Sequence, residues 1–200
     1  MTVALTRTRS AAPLFCGAAT QSSLDEVLMT RIAGGDQLAM RTLFARYQVR
    51  LYRWIVRIVG NEELAEELLS DVFLDVWRQA ASFKARSSVS TWLLSIARFK
   101  ALSARHRRID EQWDEELIAE RPDPMDDPEM VVQKKDEGEV LRNCLGQLSA
   151  VHREVIDLVY YHGKSGKEVA EIVGIPEPTV KTRIFYARKK LAEMVSQLRN

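Results

Sequence analysis

The run from Pro178 to Leu191 carries five lysines and arginines and no acid. On a helix, Lys181, Lys189 and Lys190 would neutralise phosphate, and the fork of Arg183 matches the two acceptors on a guanine edge. Thr179 and Thr182 add methyl groups that can pack on thymine, with Glu177 and Tyr186 on the same outward side. Other chemistries lack their residues. The only cysteines, Cys16 and Cys144, stand alone, and His106, His152 and His162 are too scattered to form a metal-ligand set. No nucleophile and base pair emerges, so neither catalysis nor a cofactor is expected.

These cations need a rigid element and a turn to aim them. Ser165-Gly-Lys-Glu168 has the form of a capping box and opens a short helix that Gly174 ends. Pro178 then sits in a first helical turn, where its missing amide hydrogen has no partner to lose. Val169, Ala170, Val173, Ile175 and Val180 are the expected buried seam, continued by Ile184, Ala187 and Leu191. Two helices joined this way form a helix-turn-helix.

The rest of the chain also reads as helix. Ser23 and Glu26 offer a capping box for a first helix stopped by Gly34-Gly35, and Asp36 caps a second with Leu43, Tyr47, Leu51, Trp54, Ile55 and Ile58 inward. Asn61 caps a third, with Glu62 and Glu63 favourable in its first turn and Leu64, Leu68, Leu69, Val72, Phe73, Val76 and Trp77 apolar. After Phe83 and a polar stretch, Ser90 or Thr91 begins a fourth helix whose last turns are cationic. A helix over 130–148 places Cys144 among small core residues, and Ser149 caps another that ends near Gly163. No useful length of alternating residues predicts a strand, so the fold class is all-α.

Charge divides this helical chain into parts. The net charge of +1 conceals +7 over residues 1–108, −10 over 109–139 and +4 over 140–200. Residues 110–129 hold ten acids, one arginine and three prolines, which forbid a continuous helix. The division is therefore a disordered tail at 1–22, a helical domain at 23–108, an acidic linker at 109–129 and a helix-turn-helix domain at 130–200. Pro13 interrupts the short apolar run behind Arg7 and Arg9, and no stretch reaches the ~20 apolar residues of a membrane span. A cytoplasmic protein without membrane insertion is expected.

GKSGKEVAEIVGIPEPTVKTRIFYARKKL, from Gly163, resembles region four of the extracytoplasmic-function type of alternative sigma factor of bacterial RNA polymerase, the part that reads promoters. ELLSDVFLDVWRQAASF, from Glu67, is similar to region two of that family, and STWLLSIARFKALSARHRR, from Ser90, to the segment after it. The order is the family's order. The resemblance implies that the third helix docks on core RNA polymerase through Glu66, Glu67, Asp71 and Asp75. It implies that the next stretch captures melted minus-ten DNA, with Lys84, Arg86, Arg98, Lys100, Arg105, Arg107 and Arg108 on phosphate and Ser87 and Ser88 lining a pocket for an extruded base. Trp92, at core spacing, is read as packing.

The last helix would then read minus-thirty-five DNA, and an anti-sigma factor is implied as a further partner. The family commonly has Asn at Phe99, Asp at Ser103 and Gly at Pro178. Two other readings stay open at this stage: an ordinary helix-turn-helix transcriptional repressor, and a sigma-like decoy that binds only an anti-sigma protein. The repressor leaves the acidic third helix unexplained, and the decoy does not need Lys181, Arg183, Lys189 and Lys190. The linker could also fold on the basic domains and restrain the free protein from DNA.

Overall fold

The computed structural model describes residues 16–112 and 143–198, with side chains over 23–108 and 143–197. All regular elements among the described residues are helical. They are α1 (Cys16–Ala33), α2 (Gln37–Val59), α3 (Glu62–Gln79), a 3-10 turn (Ala80–Ser82) and α4 (Val89–Gln112) in a first module. The second module contains α5 (Ala150–Ile156), a wide π-type turn (Asp157–Tyr161), α6 (Gly166–Val173) and α7 (Glu177–Leu198). Most of the acidic linker, the expected helix before 143 and residues 1–15 lie outside the described residues.

The helix starts follow local chemistry. The Asp36 carboxylate accepts from the amides of Leu38 and Ala39, and Asn61 Oδ1 accepts from Leu64 at 2.7 Å. The Ala39 amide, followed by the Arg31 side chain, holds the Asp36 carboxyl below its usual range. Gly60 ends α2 in the left-handed region at φ 65°, which lets its amide reach the Val56 carbonyl.

Two starts differ from expectation. Helix α1 is already formed at Cys16, so Ser23 lies inside it and is not its cap. Helix α4 begins at Val89, not at Ser90 or Thr91, because the Ser88 hydroxyl accepts from the Thr91 amide and the Ser88 carbonyl from Trp92. Ser88 is thus the cap.

The first module closes around Leu43, Leu51, Trp54, Ile55, Val72, Val76, Leu93 and Ala97, all buried on facing helices. Trp77 departs from the expected stripe and stays partly exposed, whereas small Ala65 is buried where the helices approach. Asp25 is buried too, bonded to Arg46 and to the Tyr47 hydroxyl. Its charge is therefore matched rather than stranded. Burial, then the Asp25 carboxylate, push the Tyr47 phenol up.

The second module is not held at a distance. Val155, Leu158, Val169, Ile172, Val173 and Val180 belong to the same continuous apolar cluster as the first module's core. A smaller cluster of Leu148, Ile156 and Ala187, backed by Leu145, Leu191 and Met194, joins α5 to α7. Cys144 is fully buried, as its spacing predicts.

Candidate nucleic-acid and polymerase interfaces

Helix α3 turns its apolar side inward, and its carboxylates follow the opposite stripe. Glu66, Glu67 and Asp71 are exposed there. Asp75 is different. It forms an ion pair with Lys100 of α4 at 2.8 Å, and Asp71 stands 3.9 Å from the same ammonium. A residue read as polymerase-binding and one read as DNA-binding are thereby joined across α3 and α4.

The loop between Phe83 and Val89 is anchored at both ends. Phe83 packs on Trp92 with ring centroids 5.3 Å apart, which gives Trp92 the packing role expected of it. Between the anchors, Lys84 and Arg86 are exposed on either side of Ala85, whose φ of 49° is unusual for a residue with a side chain. That bend presents both cations outward.

Arg105, Arg107 and Arg108 are also exposed, but at the far end of α4, roughly 25 Å from the loop along the helix axis. The structure does not bring the two sets together. They form two separate cationic surfaces that a strand of nucleic acid would have to span.

Ser88 and Arg98 depart furthest from an open DNA-binding surface, because both face the second module. Arg98 donates to both carboxylate oxygens of Glu154, at 2.7 and 3.3 Å, and the Ser88 hydroxyl donates to Glu168 at 3.2 Å. Ser87 is half-buried beside them.

In the second module the capping box of α6 is complete. The Ser165 hydroxyl accepts from the Glu168 amide at 3.3 Å, and Glu168 accepts from the Ser165 amide at 3.0 Å. Gly174 turns the chain at φ 74°, and its amide reaches the Ala170 carbonyl. The Pro176 carbonyl then accepts from Thr179 and Val180, which starts α7.

Val180 and Ala187 are fully buried, so the opposite side of α7 faces solvent. Lys181, Thr182, Tyr186, Lys189 and Lys190 are exposed there, while Glu177, Thr179 and Arg183 are half-buried at its edge. Glu177 pairs with Lys181 at 2.9 Å, and the Thr182 hydroxyl donates to the Pro178 carbonyl at 3.0 Å. Thr182 therefore offers mainly its methyl.

Phe185 and Arg188 were not among the sequence-derived contacts, yet they share an open groove with Lys181, Ile184 and Lys189. Phe185 stands edge-on to Tyr186 at 5.5 Å. The four-residue interval from Lys181 to Phe185 to Lys189 was the available signal.

Comparisons with known proteins match two stretches of the chain. Residues 43–109 match the sigma-70 region 2 family, and residues 138–191 match sigma-70, region 4. An ECF RNA polymerase sigma factor, SigK of Mycobacterium sp. strain KMS, is 31% identical over 170 residues, covering 80% of this chain and 84% of its own length. The chain belongs to the extracytoplasmic-function family of RNA polymerase sigma factors.

SigK of Mycobacterium tuberculosis strain H37Rv is similar over 174 residues at 30% identity, covering 85% of this sigma factor and 92% of the relative. Among solved structures, the sigma factor RpoE in complex with the anti-sigma factor NepR from Bartonella quintana superposes with a TM-score of 0.65 at 25% identity. The superposition covers 78% of this chain and 96% of that one. CnrH, solved with the cytosolic domain of CnrY, shares the fold at a TM-score of 0.62 and 24% identity, over 87% of this sigma factor and 98% of CnrH. No described helix is long and apolar enough to cross a membrane.

Proposed function

We propose that this sigma factor divides promoter recognition among three surfaces. The exposed acids of α3, chiefly Glu66, Glu67 and Asp71, hold core polymerase. The loop with Lys84 and Arg86 and the end of α4 with Arg105, Arg107 and Arg108 follow the melted minus-ten strand. The outer side of α7 enters the groove of the minus-thirty-five element. The observation that carries this reading is the acid-poor, solvent-facing side of α7, with Lys181, Tyr186, Lys189 and Lys190 all exposed behind a fully capped α6. A decoy that binds only protein has no use for that side.

Polymerase makes the phosphodiester bonds, so the protein acts in the cytoplasm as a specificity subunit and not as an enzyme. It works without a metal or organic cofactor. An anti-sigma factor would bind it, as NepR is bound to its own sigma factor RpoE in the solved complex. The limit at 129/130 is proposed on the same basis as the surfaces; those expected at 22/23 and 108/109 fall inside α1 and α4.

Reconstituted transcription tests this. Core polymerase with the sigma factor should start at discrete genomic sites, whereas tight site-specific binding by the free chain with no specific starts would favour a repressor. Replacing Lys181 and Arg183 by Ala removes groove contacts of about 1–3 kcal/mol each. Specific transcripts should fall by roughly thirtyfold or more at limiting holoenzyme. Core binding, measured by co-elution, should stay unchanged; its loss would mean that α7 is misassigned.

A further inference from the structure

Two adjoining cavities lie where the end of α2, the later turns of α4 and α5 come together, and they share Arg57, Arg153 and Asp157 as a common wall. Their chemistries differ. The first, of about 160 Å3, is bordered by the guanidiniums of Arg57, Arg98, Arg105 and Arg153 and by the carboxylates of Glu154 and Asp157. Four positive groups against two negative ones leave a surplus of two positive charges.

Each carboxylate already holds one guanidinium. Glu154 accepts from Arg98 at 2.7 and 3.3 Å, and Asp157 pairs with Arg57 through Oδ1. Burial pulls the Arg57 guanidinium below its usual range, and the charge of Arg53 adds to that against the opposing effect of Tyr161. A doubly charged anion beside these forks would match the surplus and offset the cost of burying the charge. Guanidinium forks fit phosphate oxygens two at a time, so phosphate is the anion that the arrangement suits best.

The second cavity, of about 290 Å3, is largely apolar, with Val56, Leu145 and Ile156 on its walls and Tyr160 and Tyr161 beside them. The Arg57 guanidinium lies over the Tyr161 ring at 4.4 Å from its centroid, and Tyr160 is exposed, so the cavity opens to solvent. On the shared wall, Asp157 Oδ2 is buried and accepts no hydrogen bond among the described residues, with His162 Nε2 3.6 Å away. A buried acceptor in that state is completed by a donor, which a ligand hydroxyl or amine would supply.

We propose that the paired cavities form a binding site for a nucleoside diphosphate, with its phosphates among the four arginines and its base against Tyr160 and Tyr161. Together the cavities reach the range of about 300–1,000 Å3 in which small-molecule sites fall. An inorganic phosphate would leave the apolar half empty, and an apolar molecule would leave the surplus charge unmatched. Stacking on the tyrosines suits the flat face of any base. Arg98 and Arg105 also belong to the surface assigned to minus-ten DNA, so a bound nucleotide would compete with the melted strand. That consequence rests on the minus-ten assignment; the site itself does not.

The test uses the full chain, with ADP, pyrophosphate and adenosine as probes in isothermal titration calorimetry. ADP should occupy one site per chain, and each of its two fragments should bind roughly tenfold more weakly or worse. Arg153→Gln should weaken ADP and pyrophosphate alike by about tenfold. Tyr160→Ala should weaken ADP and leave pyrophosphate unchanged. Tyr160 is exposed, so its removal spares the fold, and circular dichroism checks both variants. If Arg153→Gln fails to fold, Glu154→Gln takes its place: it raises the surplus charge and should tighten both ligands.

Absence of saturable ADP binding, or binding indifferent to these substitutions, overturns the site. Pyrophosphate held as tightly as ADP overturns the nucleotide and leaves an anion trap. A single-stranded oligonucleotide whose affinity falls with Tyr160→Ala as far as that of ADP would give the cavities to the strand, which also overturns the proposal. Where ADP binds as expected yet leaves oligonucleotide affinity unchanged at saturation, the nucleotide site stands and the minus-ten assignment of Arg98 and Arg105 fails.

Discussion

The first module and the second are both helical, but they are held together differently. In the first, long helices with capped starts meet over a deep core, from Leu43 and Trp54 on α2 to Val76 on α3 and Leu93 on α4. In the second, a small cluster of Leu148, Ile156 and Ala187 stands apart, and Val155, Leu158, Val169, Ile172, Val173 and Val180 join the first module's core. The small module thus obtains much of its apolar burial from its neighbour, as expected for short helices that leave too little surface to bury alone. A surface for DNA reading can then be coupled to the state of the module beside it.

The largest expected effect comes from Trp54, which is buried in α2 and meets the His162 ring at 5.4 Å. Trp54→Ala should cost about 3–5 kcal/mol by leaving a cavity. If the core is continuous, hydrogen exchange will speed up in α5 and α6 as well as in α2. Loss of protection confined to the first module would break the comparison.

Acid provides a gentler probe of the same junction. Burial first, then the charges of Arg57, Arg50 and Lys164, pull the His162 imidazole down to about 4 from 6.5. Asp157 lies 3.6 Å away but already serves Arg57, and Tyr161 adds only an aromatic edge. His162 is therefore neutral when packed, and its contribution is fully present above pH 6.5.

As pH falls from 6.5 towards 4, protonation of the unfolded or opened chain should remove stability on the order of 2–3 kcal/mol. Denaturant titrations of the parent and of His162→Phe across that window should diverge, with the flatter curve belonging to the variant.

Glu168 titrates elsewhere. Burial opposes its charge, but the Ser165 amide, the Thr91 hydroxyl and Lys164 outweigh that and lower its carboxyl to about 2. Its contribution is present above 4.5 and is lost only as pH falls from there towards 2. The two groups can be separated by pH alone.

The smallest effect concerns the loop at Ala85. Glycine would relieve the left-handed backbone there but add freedom to the unfolded chain, so Ala85→Gly should shift stability by no more than about 1 kcal/mol. Minus-ten strand affinity should fall modestly if a preset bend matters to Lys84 and Arg86. An unchanged affinity would show that the loop needs no preset shape.

Much of the architecture was legible in the residues. The caps at Asp36, Asn61 and Ser165, the stop at Gly174 and the outward cations of α7 each depend on neighbours within about four positions, the range that helix geometry fixes. Misreadings arose where that range ended. Ser23 has cap chemistry, yet α1 runs through it from Cys16. Ser90 and Thr91 have cap chemistry too, yet Ser88 caps α4 and also bonds Glu168.

Phe185 and Arg188 lay on the outward side of α7 all along, but sequence spacing alone does not show that their side chains share a groove. Lys100 and Asp75 were assigned to different partners because nothing in their spacing announces that α3 and α4 place them 2.8 Å apart.

Sequence alone determined that the chain is helical, where most of its helices start and stop, and that its last helix carries a basic outer side, because each is a matter of hydrogen bonds and periodicity between near neighbours. Tertiary structure alone decided that Lys164 would be buried against Ser90 and Thr91, and that Glu154 would cover Arg98. Those residues are separated by 74, 73 and 56 positions, and their meeting is fixed by how two apolar faces pack, which no local pattern encodes.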